Sequence, residues 1–189
     1  MSAPKILVFS GSWREGSLNT KLATLAAKRL RAAGGEVRQI SLGDYPLPLV
    51  DATGFSTTPQ VAHDLHAVID AHDGLYIASP EYNGGYAPAL KNALDWASVA
   101  KGGPSASGLA GKVVALGGAS PGERGAYRGM TQLRTSLELG FGALMVPEMV
   151  AIATAHKAFD DAGELVDARN NGFLDKQVAR LIKLAALDI

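Results

Sequence analysis

The chain has no cysteine, no excess of charge of either sign and no apolar run long enough to cross a membrane. Without cysteine there are no disulfides, no cysteine-ligated iron–sulfur clusters and no thiol nucleophiles. Eighteen basic residues balance eighteen acidic ones, which argues against nucleic acid or an anionic membrane surface as the main partner. A membrane-spanning helix needs about 20 apolar residues, and the N-terminus lacks a secretory pattern. We therefore expect a cytoplasmic protein that binds neither nucleic acid nor membrane.

Short apolar runs alternate with amphipathic segments along the 189 residues. The runs, which are typical of buried strands, lie at 6–9, 37–40, 75–78, 113–116 and 144–146. Apolar residues at helical spacing separate them and follow the last. This alternation predicts a single α/β domain over 1–189, with an open parallel sheet and helices on both faces. Residues 101–111, with four glycines and one proline, are predicted to form a surface loop.

Ligands of such a sheet bind beyond the carboxyl ends of its strands. Three loops leave these ends: a first loop at 10–19, a second loop at 79–88 and a third loop at 117–125. All three are rich in small residues, proline or hydroxyl side chains. We therefore expect the functional site to lie where the three loops meet.

The first loop has the glycine spacing of a phosphate-binding loop, in Gly11 and Gly16, but lacks the Lys-Ser or Lys-Thr pair that contacts a nucleotide and its magnesium ion. It offers hydroxyl groups and the charge of Arg14. A helix is predicted to begin near Leu18 with Ser17 as its N-cap, and its first amides favour an anion. These groups suit a single phosphate monoester. The alternative is a capped turn with a solvated arginine.

Two other kinds of site have little support. The Gly-x-Gly-x-x-Gly fingerprint of dinucleotide-binding folds is absent, and no acidic residue ends the second strand, where Ile40 leads into Ser41. His63, His66 and Asp70 share one helix face, but polar residues opposite an apolar stripe usually face solvent. We therefore expect no metal site.

The second loop reads SPEYNGGYAP, and its prolines and glycines predict an irregular backbone whose amides and carbonyls are open to a ligand. Tyr82 and Tyr86 are placed to flank a flat ring, and Asn83 can present an amide to the ring edge. The alternative is an ordinary strand-to-helix turn in which the tyrosines only pack. In the third loop, GGASPGERG, Ser120 is the candidate side chain.

Three stretches resemble the NADPH-dependent FMN reductase family, a family of flavodoxin-like proteins that includes quinone, chromate and azo-dye reductases. They are GSWREGSLN in the first loop, PEYNGGYAPALKNALDW from the second loop onward, and GGASPG in the third. YPLPLVD and AHKAFDDAGELVD are similar to that family as well. The resemblance implies a flavodoxin-like, doubly wound sheet of five parallel strands in the order 2-1-3-4-5.

The resemblance also implies FMN as cofactor and NAD(P)H as electron donor. It places Ser12, Arg14, Ser17 and Asn19 at the FMN phosphate, Pro80, Glu81, Tyr82 and Asn83 at the flavin, and Ser120 on the far side of the flavin. Gly11, Leu18 and Gly84 complete the expected cofactor-binding set. Trp13 has no assigned role.

The implied reaction transfers hydride from NAD(P)H to FMN and then electrons to small acceptors such as quinones, azo dyes, chromate or ferric complexes, by a ping-pong mechanism. No catalytic side chain is expected, because the flavin carries the chemistry. Two alternatives stay open: a flavodoxin-type electron carrier and a flavin-sensing protein without NAD(P)H turnover. Flavodoxins are typically strongly acidic, whereas this chain is neutral.

A homodimer or homotetramer is expected, with the helix after the second loop at the interface. Trp96 lies off the apolar stripe of that helix, which consists of Leu90, Ala93, Leu94 and Ala97. Tryptophan on an outer helix face is typical of interfaces. The alternative is that Trp96 packs within its own subunit.

Overall fold

The computed structural model describes residues 2–51, 57–100 and 108–187. Its parallel sheet consists of β1 (Lys5–Ser10), β2 (Glu36–Gln39), β3 (Gly74–Ala78), β6 (Val113–Ala119) and β7 (Leu144–Ile152). The strands lie in the order β2-β1-β3-β6-β7, which is 2-1-3-4-5 when the strands of this sheet alone are counted. The predicted doubly wound, flavodoxin-like architecture is therefore confirmed.

Helices cover both faces of the sheet. They are α1 (Leu18–Ala32), α2 (Gln60–Asp70), α3 (Pro88–Val99), α4 (Tyr127–Thr135) and α5 (Ala168–Ala185). One core lies between the sheet, α1 and α5, and the other lies between the sheet, α2, α3 and α4. Successive residues of β1 enter opposite cores, with Ile6 and Val8 in the first and Leu7 and Phe9 in the second. This alternation explains why a buried parallel strand is apolar at every position.

A short hairpin after β3 was not predicted. It consists of β4 (Glu81–Tyr82) and β5 (Gly85–Tyr86), which pair antiparallel. Its two turn residues both have positive φ, 52° at Asn83 and 85° at Gly84. Asn-Gly is the preferred pair for a turn with this backbone. The Asn-Gly pair in the second loop therefore indicated a hairpin, and the irregular backbone expected there takes this form.

The premise that Trp96 lies on an outer helix face is wrong. Trp96 is only 2% exposed, and its indole Nε1 donates to the carbonyl of Pro48 at 2.6 Å. Asn92, one turn earlier, donates to the same carbonyl and accepts from the amide of Val50. The segment around residues 48–50 packs on α3 and buries the indole within its own subunit. The apolar periodicity of a helix does not predict which other segment will cover it.

His66 likewise differs from expectation. It is buried, and its Nδ1 lies 3.0 Å from the carbonyl oxygen of Ala97 on α3, whereas His63 and Asp70 are exposed as predicted. Of the predicted loop at 101–111, residues 101–107 lie outside the described residues. In the part of the chain that is described, no helix is both long enough and apolar enough to span a membrane.

Candidate active site

The three loops meet at the carboxyl edge of the sheet, because β1, β3 and β6 are neighbours. Main-chain bonds join them at their starts: the amide of Gly11 donates to Ala78, and the amide of Ser79 donates to Gly117. A cavity of about 210 Å³ lies between them. Nine predicted site residues line it, namely Ser12, Arg14, Ser17, Leu18, Asn19, Pro80, Glu81, Tyr82 and Ser120.

The other three predicted residues, Gly11, Asn83 and Gly84, do not line this cavity. Gly11 lines a neighbouring cavity of about 560 Å³. A Cβ at Gly11 would lie 3.0 Å from the Cδ of Pro80 and 3.1 Å from the Cβ of Leu90. Glycine therefore lets the first loop approach the second. Asn83 and Gly84 form the hairpin turn.

Hydroxyl groups hold the first loop in shape. The Oγ of Ser17 accepts from the amide of Thr20 at 3.3 Å and caps α1, as predicted. The Thr20 hydroxyl donates to the carbonyl of Ser12, and the Ser12 amide donates to the Oγ of Ser10. Arg14 is exposed, with one guanidinium nitrogen 3.2 Å from the carbonyl of Glu15. The cap, the helix dipole and the arginine make this end of the cavity favourable for an anion.

Asn19 has a structural role that its sequence position did not reveal. It is 5% exposed, its Nδ2 donates to the carbonyl of Ala119, and its Oδ1 accepts from the amide of the same residue, each at 2.9 Å. The side chain thus ties α1 to the end of β6 across one hundred positions of sequence. We call this pair of bonds the Asn19 clamp. One Nδ2 hydrogen remains for another partner.

Glu81 anchors the hairpin to α4. Its carboxylate accepts from the Arg128 guanidinium, with Nε at 2.9 Å, and from the amide of Gly129 at 3.0 Å. Gln132 adds a bond to the carbonyl of Gly84. Burial raises the pKa of Glu81, but the Gly129 amide and the Arg128 guanidinium outweigh burial and hold it below its usual value. The side chain of Glu81 is therefore committed to α4.

The two tyrosines of the second loop have different surroundings. Tyr82 is 56% exposed and lines both cavities. Tyr86 packs against the core, and its hydroxyl lies 3.1 Å from the Oγ of Ser136. Both tyrosines are expected to flank a ring; Tyr82 lines the two cavities described here, whereas Tyr86 lines neither of them.

The third loop closes the far side of the cavity. The amide of Ser120 donates to Ile152 at 3.0 Å, and its Oγ accepts from the amide of Gly122 at 3.2 Å. A Cβ at Gly118 would lie 2.8 Å from the Cβ of Ala126, so the close approach of α4 requires glycine there. The site combines an anion-binding end, exposed loop backbone and aromatic walls, which suits a planar ligand that carries one phosphate.

Comparison with known proteins agrees with this geometry. The model of the family described as NADPH-dependent FMN reductase matches residues 4–157. A NAD(P)H-dependent FMN reductase of Pseudomonas aeruginosa is 36% identical over 178 residues, which cover 94% of this chain and 92% of that protein. The quinone reductase of Escherichia coli is 32% identical over 94% of this chain and 91% of its own length.

A solved structure extends the similarity to the whole fold. The flavoenzyme NAD(P)H:(acceptor) oxidoreductase FerB from Paracoccus denitrificans superposes with a TM-score of 0.81. The two chains are 27% identical, and the match covers 97% of each.

Replacement of Glu81 by glutamine should destabilise the protein by about 1–3 kcal/mol at neutral pH, since a charge-assisted interaction is lost. The native pKa is depressed, so the unfolded state binds more protons in acid. The contribution is complete above the ordinary glutamate pKa of about 4.3 and is lost as the pH falls through the lower native value. The measurement is the difference in Tm between wild type and Glu81→Gln as a function of pH. Exposed Glu123→Gln is the control, and a Glu81 difference that persists unchanged in acid would contradict the assignment.

Proposed function

Because the chain belongs to the NADPH-dependent FMN reductase family, we propose that the three loops at the carboxyl edge of its sheet hold FMN for the transfer of electrons to small planar acceptors. The protein is an FMN-dependent NAD(P)H oxidoreductase. The observation that carries the proposal is the cavity into which all three loops contribute, with its anion-binding end at α1.

The first loop fits the FMN phosphate. Ser12 and Ser17 supply hydroxyls, the first amides of α1 supply donors, and the exposed guanidinium of Arg14 supplies charge. A monoester needs no magnesium ion, which is consistent with a loop that lacks the lysine and hydroxyl pair of triphosphate-binding loops. We assign Leu18 and the remaining Nδ2 hydrogen of Asn19 to the same end of the cavity.

The second and third loops fit the flavin. We assign Pro80, the backbone of Glu81, and the turn residues Asn83 and Gly84 to its polar edge, with Tyr82 beside the ring. Ser120 then lies at the opposite wall. FMN, when bound, accepts hydride from NAD(P)H and passes electrons onward. The task of the chain is to orient the ring and to leave one face open, and this requires no side-chain acid or base.

The acceptors proposed for this cleft are quinones first, then azo dyes, chromate and ferric complexes. The residues that line the open cavity are mostly small or aromatic, among them Ala87, Pro88, Ala89 and Tyr82. Such walls discriminate weakly between planar molecules, because one methylene changes affinity by only ~1–3 kcal/mol. The quinone reductases among the relatives support quinones as the leading class.

The direct test of the function is anaerobic reduction of the FMN-loaded protein. NAD(P)H should bleach the flavin absorbance without any partner protein, and a quinone should restore it. Initial rates at varied concentrations of both substrates should give parallel double-reciprocal lines. Flavin that NAD(P)H fails to bleach would instead indicate a sensor or an electron carrier, and intersecting lines would contradict the ping-pong mechanism.

Substitutions at the phosphate end separate binding from folding. Arg14→Ala should weaken FMN binding about tenfold or more, since a charge-assisted bond contributes ~1.5–3 kcal/mol. It should leave the Tm of the apo-protein unchanged, because Arg14 is exposed. Asn19→Ala should lower both the FMN affinity and the Tm of the apo-protein, because it removes the Asn19 clamp. Titration with FMN and apo-protein melting measure the two effects, with exposed Arg38→Ala as control. Unchanged FMN affinity in Arg14→Ala would mean that the first loop is only a capped turn.

We also propose a homodimer or homotetramer, located in the cytoplasm, where NAD(P)H is available. Among the exposed apolar side chains of the described residues, Leu139, which is 81% exposed, and Leu144 at the start of edge strand β7 support association. Because Trp96 is buried in its own subunit, it no longer supports the expected interface at α3. Light scattering at micromolar concentration should give at least twice the mass of one chain. A monomer would contradict the oligomer, and cell fractionation tests the location.

A further inference from the structure

Trp13 is conspicuously exposed for a tryptophan. It is 54% exposed, although hydrogen bonds hold the main chain beside it at Ser12. Together with Tyr82, which is 56% exposed, it lines the cavity of about 560 Å³ beside the proposed FMN site. Exposed aromatic surface of this size is costly and marks binding sites more often than bare surface.

Gly43 holds the indole in place from behind. A Cβ at Gly43 would lie 3.0 Å from both Cδ1 and Cγ of Trp13 and 3.2 Å from its Cβ. Gly43 belongs to a 3₁₀ turn, Leu42–Asp44, that is anchored by buried Leu42 and by a bond from the Gly43 amide to the Oγ of Ser41. The indole therefore rests on a fixed surface, and its other side is free to contact a ligand.

The remaining walls of the cavity suit an apolar ring. Ala87, Pro88 and Ala89 at the start of α3 contribute small apolar surface. Arg14 is the charged residue that lines this cavity within the described part of the chain, and it is already assigned to the FMN phosphate. With two aromatic side chains and few directional polar groups, the cavity favours stacking over hydrogen bonding as the source of affinity.

We propose that Trp13, fixed by Gly43, is a specificity-determining residue that stacks with planar acceptors and favours fused-ring quinones over single-ring ones. This proposal rests on the proposed function and deepens it. A larger ring system covers more of the indole and of Tyr82, whereas a compact, non-planar oxidant has no face to stack. Gly43 acts as a positioning residue, because a methyl group there would displace the indole.

The test follows reoxidation of the reduced, FMN-saturated holoenzyme by stopped flow. The oxidants are a naphthoquinone, a benzoquinone and ferricyanide. Trp13→Ala should reduce the second-order rate constant about three- to tenfold for the naphthoquinone, as expected for the loss of one stacking contact. The loss should be smaller for the benzoquinone and smallest for ferricyanide, and Trp13→Phe should recover part of it.

Gly43→Ala tests the positioning without removing any atom of the cavity wall. It should shift the preference between naphthoquinone and ferricyanide in the same direction as Trp13→Ala. Gly140→Ala is the matched control, since an added Cβ there meets no atom within 4 Å. Melting curves of each holoenzyme show whether a variant is folded. If Gly43→Ala is not folded, the comparison of Trp13→Phe with Trp13→Ala tests the proposal instead.

Equal losses for all three oxidants in Trp13→Ala would overturn the proposal, as would a loss confined to reduction by NADPH. Equal losses would mean that Trp13→Ala slows reoxidation without regard to the shape of the oxidant. A loss confined to reduction would mean that the indole contacts NADPH and not the acceptor. A wild-type holoenzyme that NADPH does not reduce would refute the proposed function itself and this proposal with it. Reduced wild-type enzyme and unaltered quinone preference in Trp13→Ala would refute this proposal alone.

Discussion

The position of the first loop relative to the third depends on the Asn19 clamp. Ala119 is buried at the end of β6, and both its main-chain amide and its main-chain carbonyl need partners. A carboxamide matches the amide and carbonyl of one extended residue, since it donates and accepts side by side. Aspartate would offer no donor to the carbonyl, and alanine would leave two buried groups unpaired, each at a cost of about 1–3 kcal/mol. The clamp fixes the start of α1, and therefore the anion-binding end, relative to the third loop.

Small residues make the same approach sterically possible. Gly11 allows the first loop to touch Pro80 and Leu90, and Gly118 allows α4 to approach β6. At the hairpin, Asn83 and Gly84 supply the positive φ values that a two-residue turn needs. These glycines and the hairpin turn let the loops approach one another where larger side chains would collide. The proposed FMN site is therefore bordered by residues that were selected for small size and backbone conformation, which explains why so few of them have evident chemistry.

The sequence predicted what local patterns encode. Apolar periodicity predicted the strands and helices, and strand-end position predicted the three loops. Cap chemistry predicted Ser17, which the structure confirms. The Asn19 clamp joins residues one hundred positions apart, so no local sequence pattern marks it. The burial of Trp96 depends on the segment around Pro48, which lies far from α3 in the sequence. The hairpin is different, because its Asn-Gly signal was readable. Long-range side-chain contacts are thus what a single sequence does not reveal here.

The distribution of charge at the cavity follows from how Glu81 is used. Arg14 and Glu81 are the charged residues that line the 210 Å³ cavity in the described chain. The carboxylate of Glu81 is neutralised by Arg128 and by the amide of Gly129, and its lowered pKa keeps it ionised in that pairing at neutral pH. Arg14 and the positive end of the α1 dipole then dominate the local field. An anionic cofactor and an anionic nicotinamide donor are both attracted to this edge, whereas a neutral quinone gains nothing from the field. The field therefore does not discriminate among quinones, which leaves that role to the shape and the aromatic surface of the walls. Trp13 and Tyr82 are the aromatic side chains that line the neighbouring 560 Å³ cavity.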